Sequence, residues 1–98
     1  MELRFHRRVQ ADLDEILEKY YGISGDLGDD FFAEFQIAVT KVRAQPRFFH
    51  FDASGLRRCN FDRFPYHLLY DLHHGLLRVW VLRHDQRHPG FGLRRFGR

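Results

Sequence analysis

The apolar residues of this chain change their spacing once along its length, and that change limits the fold more than any other feature. In the first half they recur at three and four residues: Leu13, Ile16, Leu17, Tyr20 and Tyr21, then Phe31, Phe32, Phe35, Ala38, Val39 and Val42. That spacing lines each group up on one stripe of a helix. In the second half the spacing is two. Tyr66, Leu68, Tyr70 and Leu72 alternate with His67, Leu69 and Asp71, as side chains do on opposite faces of a strand.

The breaks between these runs set the order of elements. Residues 2–7 alternate and read as a short first strand. Gly22 is a stop for the first helix, Gly25-Asp26-Leu27-Gly28 reads as a turn, and the second helix runs from about Asp29 to Ala44, ended by Pro46. Asp12, Asp14, Glu15 and Glu18 fill the outer face of the first helix. Strands are expected from about Leu56 to Phe61, Tyr66 to Leu72 and Leu76 to Arg83, with Phe64-Pro65 as a break and His74-Gly75 as a tight hairpin turn. The expectation is therefore one small α+β domain over residues 1–98, ordered βααβββ. A helical hairpin (10–45) packs on one face of a twisted, mainly antiparallel sheet whose last three strands span 56–84, and residues 89–98 form an arm. In the loop 46–55, Phe48, Phe49 and Phe51 either plug the sheet edge or form a stacking platform for bases.

Charge divides the chain as sharply as apolar spacing does. Residues 1–55 carry seven Lys+Arg against ten Asp+Glu, a balance of −3, whereas residues 56–98 carry nine Arg against three Asp, a balance of +6. Five of the seven His also lie in the second part. A basic half built wholly on Arg points to a polyanion or an acidic protein partner, because the guanidinium fork matches phosphate and carboxylate. Cys59 is the only cysteine, which excludes an intrachain disulfide and a thiolate metal cluster. No long apolar run follows the N-terminal charges and none reaches the roughly 20 residues of a membrane span. The expectation is a cytoplasmic chain with no membrane association.

Chemistry on a polyanion's phosphate would need cations to neutralise it and a group that moves a proton near neutral pH. Arg58, Arg63, Arg83 and Arg87 are candidates for the phosphate and its flanking backbone, and His84 or His88 for the proton. Arg57 and Arg58 are neighbours on a strand, so at most one faces a given site. Neither His84 with His88 nor His73 with His74 has a carboxylate or Cys at ligand spacing, so no metal and no cofactor is expected. The tail 90–98 mixes Gly, Phe and Arg, and reads either as a nucleic-acid-binding tail or as an arm folded onto the sheet.

The run Leu56 to Tyr70, with Arg57-Arg58 and Phe64-Pro65-Tyr66, resembles the Arg-rich strand and turn of the RelE/ParE toxin superfamily. Val79 to Pro89 resembles that family's last strand, which often ends in His, two residues, Arg, one residue and Pro; here these are His84, Arg87 and Pro89. Ala11 to Ile16 with Tyr20-Tyr21 resembles its first helix. The resemblance implies the βααβββ fold, a role as the growth-arresting toxin of a type II toxin–antitoxin module, and an antitoxin encoded next to it. RelE-like members cut mRNA on the ribosome and ParE-like members poison DNA gyrase. The expectation leans to the first, a metal-independent mRNA endoribonuclease with His84, Arg87, Arg63 and Arg58 as catalytic residues. Arg57, Arg78, Arg83, His88, Arg94 and Arg95 would then bind RNA or the antitoxin. Two departures stand out: Phe91 lies where such nucleases often carry a Tyr, and no Lys follows Lys41.

Overall fold

The computed structural model describes residues 1–97; Arg98, the end of the expected arm, lies outside them. The elements are β1 (Glu2–Phe5), α1 (Arg7–Tyr21), α2 (Gly25–Ala44), β2 (Arg57–Asn60), β3 (Tyr66–His73), β4 (Leu76–His84) and a terminal 3-10 turn (Leu93–Phe96). The sheet order is β1-β4-β3-β2. β1 runs parallel to β4, and the two other pairings are antiparallel. The α+β class and the βααβββ order are as the sequence predicts.

Both helices begin earlier than expected, because each has a side-chain cap. His6 Nδ1 accepts the Arg8 N–H at 3.1 Å, so α1 starts at Arg7. Ser24 Oγ accepts the Leu27 N–H at 3.0 Å, which turns the expected Gly25–Gly28 loop into the first turn of α2. Gly28 is buried there, and a Cβ on it would overlap the Tyr21 ring. Asp12 is not on an outer face: it is buried between α1 and the sheet.

The helices cover one face of the sheet with an aromatic core. Phe31 stands edge-on to Tyr66 and to Phe64, both at 5.1 Å between ring centres, and Tyr20 stands edge-on to Phe64 at 5.1 Å. Glu34 of α2 is buried and accepts the backbone N–H groups of Arg63 (2.5 Å) and Phe64 (3.3 Å), which fixes the β2–β3 turn. His74 (φ 50°) and Gly75 (φ 77°) make the expected hairpin turn.

The other sheet face is covered too, by the arm rather than by the helices. Leu56, Leu69 and Val81 form a second small core under Trp80, Phe91, Leu93 and Phe96. The arm that follows β4 therefore folds onto the sheet. Its turn depends on Gly92, whose φ is 81° and whose added Cβ would lie 2.6 Å from Val81 Cγ2. Among the loop phenylalanines, Phe49 packs against the core, edge-on to Tyr70, but Phe48 and Phe51 are exposed.

Candidate binding cleft and the basic half

A cleft of about 460 Å³ opens between α1 and the end of β4, walled by the arm. Asp12, Glu15, Ile16 and Lys19 line it from α1, Tyr66 and Leu82 to His84 from the sheet, and Gln86, Arg87 and Phe91 from the arm. Glu15 was legible only as part of a solvated helix face and Lys19 was not singled out, yet they supply the acid and the cation opposite His84 and Arg87. The Arg87 guanidinium lies 4.1 Å from the centre of the Phe91 ring, which holds it at the rim by a cation–π contact.

His84 stands edge-on to Tyr66 at 4.8 Å. Its Nδ1 accepts the Gln86 N–H at 3.0 Å, so the neutral ring carries its proton on Nε2. In that tautomer His84 can donate a hydrogen bond from Nε2 but has no free nitrogen with which to take a proton. His88 is bonded in the same way, with Nδ1 accepting the Gly90 N–H at 2.9 Å. Tyr66 is no base either: burial, and Tyr20 beside it, push its hydroxyl up to about 12. The Cys59 thiol is buried and pushed up to about 11 by that burial, which rules it out as a nucleophile at neutral pH.

Arg58 and Arg83, both expected at the phosphate, are instead held in a polar network within the protein. Arg83 is buried; its Nε donates to His67 Nε2 at 3.0 Å and one terminal nitrogen donates to the Pro89 carbonyl at 2.6 Å. His67 is fully buried and its Nδ1 donates to Asp85 at 2.8 Å. The donor from Arg83 fixes that tautomer, since Nε2 must be the acceptor. Burial, with Arg58 and Arg83 nearby, holds the His67 imidazole below its ordinary range despite the Asp85 bond. Arg58 donates to Asn60 (2.7 Å) and Asp85 (3.3 Å) and sits 3.6 Å from Asp52. Asp52 also faces Arg83 at 3.6 Å. Burial raises the Asp52 carboxyl, but the Ser54 hydrogen bonds and the two guanidinia outweigh it and leave it below its ordinary value. His67, Asp52 and Asp85 were not singled out in the sequence, where they read as ordinary polar positions of a strand and two loops.

The remaining candidates are dispersed. Arg63 is exposed, 3.5 Å from Asp30, and does not line the cleft. Arg57 donates to the carbonyls of Arg47 (3.1 Å) and Phe49 (2.8 Å). Arg78 forms a two-point pair with Asp71 at 2.8 and 2.6 Å, to which Trp80 also donates. Arg94 is exposed. Arg95 makes a buried two-point pair with Asp12 at 2.6 and 2.9 Å. Asp12 accepts the Leu82 N–H as well, at 3.2 Å. Of the ten residues expected at a site, the cleft gathers Arg83, His84 and Arg87.

Among the described residues no group of three or more His, Cys, Asp or Glu is placed to hold a metal ion, and no helix is long and apolar enough to cross a membrane. No family model matches the chain, and no curated protein does. Solved structures do match. One, described as a chromosomal ParDE TA system from P. aeruginosa, contains a chain that superposes with a TM-score of 0.76 at 17% identity, over 88% of this chain and 97% of that one. This chain therefore has the same small α+β fold as a component of that ParDE system.

Proposed function

We propose that this chain is the toxin of a type II toxin–antitoxin pair and that it arrests growth by binding its target, as ParE-like members poison gyrase, rather than by cutting RNA. Support for the toxin role is the shared fold with the ParDE chain over nearly the whole length of both, joined to the Arg57-Arg58, Phe64-Pro65-Tyr66 and His84-Arg87-Pro89 resemblances. The single observation that favours binding over cleavage is the engagement of the expected catalytic set. Arg58 is held by two carboxylates, His84 has its Nδ1 occupied, and Arg63 stands away from the cleft. Arg87 is the one expected catalytic arginine that lines the cleft, where a cation–π contact with Phe91 holds it.

A nuclease reading keeps one observation in its favour: the cleft brings Glu15, Lys19, His84 and Arg87 together. In it Glu15 would take the 2′-hydroxyl proton, Lys19 and Arg87 would neutralise the phosphate, and the His84 Nε2–H would donate to the leaving 5′-oxygen. The deciding experiment expresses the chain alone and with the adjacent short reading frame, and scores purified gyrase for trapped DNA breaks. The proposal expects arrest that the neighbour relieves and breaks that Arg87→Ala abolishes. Harmless expression of the chain alone removes the toxin role, and arrest without trapped breaks removes the gyrase target.

A further inference from the structure

Loop 46–55 holds two phenyl rings in solvent where a chain of this size ordinarily buries them. Phe48 is 69% exposed and Phe51 66% exposed. The rings are not at the tip of a loose segment. The Tyr70 hydroxyl donates to the Pro46 carbonyl at 2.6 Å, and Arg57 holds the carbonyls of Arg47 and Phe49. The Asp52 N–H donates to Leu56 O at 2.7 Å and the Arg58 N–H to His50 O at 2.9 Å. Phe51 pairs with Arg57 as a β-bridge, and the Arg57 guanidinium lies 4.3 Å from the Phe51 ring centre. A loop fixed by this many bonds presents its rings in place, with little further ordering needed on binding.

The charge around these rings is one-sided. Between Phe35 and Phe61 the chain carries Lys41, Arg43, Arg47, Arg57 and Arg58 against one acid, Asp52. That acid is largely covered and faces Arg58 and Arg83. Arg43, Arg47 and His50 are exposed. Lys41 is paired with Asp62 and Arg58 with Asp52 and Asp85, and Arg57 is held by carbonyls, which leaves Arg43 and Arg47 without an acid partner among the described residues. Flat apolar rings three residues apart, one backed by a guanidinium and flanked by these two arginines, match a polymer with a planar apolar group and an anionic linker at every unit.

We propose that loop 46–55, together with Arg57, is a stacking platform for single-stranded nucleic acid. The bases stack on Phe48 and Phe51, and Arg43 and Arg47 face the phosphates. A duplex hides the faces of its bases, so the platform selects unpaired strands. It lies at the β2 edge of the sheet, whereas the cleft lies between α1 and the end of β4. It therefore does not depend on the toxin reading, and growth arrest is not its readout.

The test is fluorescence anisotropy of the purified chain with labelled oligothymidylate and oligouridylate of about 12 nucleotides and a duplex of equal length. Both single strands should bind more tightly than the duplex. Phe48→Ala and Phe51→Ala should each weaken single-strand binding on the order of tenfold, since each removes one stacked base. Phe48→Leu and Phe51→Leu, which keep an apolar side chain, should weaken it likewise. Ile23→Ala, at the exposed α1–α2 turn, should leave it unchanged. Arg47→Gln should lower the slope of log K against log salt by about 0.7. A preference between the two strands would identify DNA or RNA as the natural polymer. Duplex binding as tight as single-strand binding, or wild-type binding by the four Phe variants, overturns the proposal. So does retained oligonucleotide binding with loss of a protein partner, which would assign the rings to a protein interface.

Discussion

The arm that walls the cleft is held by its apolar side chains and by a buried ion pair, and breaking that pair should have a large and specific effect. Asp12 and Arg95 each keep only 8% of their side chain exposed. Asp12 accepts two guanidinium bonds and the Leu82 N–H, while Arg95 also donates to the Trp80 carbonyl at 3.0 Å. Removing either partner leaves the other charge buried without its counterion, which costs about 3–5 kcal/mol when a pair of this kind is broken. The two sides are unequal in what they can do next. Asp12 is fixed in α1, but Arg95 lies on a short terminal turn and can reach water by carrying the arm off the sheet. Asp12→Ala and Arg95→Ala should therefore converge on one state with the arm released. Their coupling in a double-mutant cycle should be about 3 kcal/mol. A loss of about 3 kcal/mol in either single variant lowers Tm by about 12–24 °C for a chain of this length. Urea unfolding followed by Trp80 emission measures it, since Trp80 lies 5.7 Å from Phe96 of the arm. A coupling below about 0.5 kcal/mol would show that the pair does not hold the arm and would refute the reasoning.

Three further outcomes follow from the same geometry. Gly92→Ala places a Cβ against Val81 at a positive φ, and should release the arm at a cost of about 1–3 kcal/mol, seen as the same Trp80 change with Asp12 intact. Gly28→Ala pushes the Tyr21 ring aside and should cost about 1–2 kcal/mol in urea unfolding, part of which Tyr21→Ala restores. His67 is held below its ordinary value of 6.5 by burial, so below that pH the unfolded chain binds a proton that the folded chain does not. Its contribution to stability is complete above about 6.5 and is lost progressively as pH falls from there towards the folded-state value. His67→Gln should flatten that part of the stability-versus-pH curve, and a curve unchanged by the substitution would contradict the buried neutral ring.

Local pattern was enough for most of the fold. The stripe Phe31, Phe35, Ala38 and Val42, the alternation from Tyr66 to Leu72 and the His74-Gly75 turn each follow from near neighbours in the chain. Ser24 shows a local signal that was open to reading but outweighed by two glycines. A serine three residues before Leu27 caps a helix, and Gly25 and Gly28 then lie inside its first turns. The candidate site was harder for a different reason. Asp12 reads as one more acid on a solvated helix face, and its partner Arg95 is 83 residues away. Arg58 and Arg83 read as phosphate-binding candidates and His67 as an ordinary strand residue, because strand alternation says which face a residue takes, not what covers that face. Only the folded arm and loop 46–55 turn them into a closed network. Glu15 and Lys19 became cleft residues because β4 ends opposite α1, a fact of tertiary packing with no local signature.

Whether the chain binds or cuts is most directly read from mRNA 5′ ends in a translation reaction to which the purified chain has been added. The account expects intact message, with no codon-phased ends, from a preparation that arrests growth when expressed. Codon-phased cuts that disappear with His84→Ala or Arg87→Ala would contradict it and restore the cleft as a nuclease site.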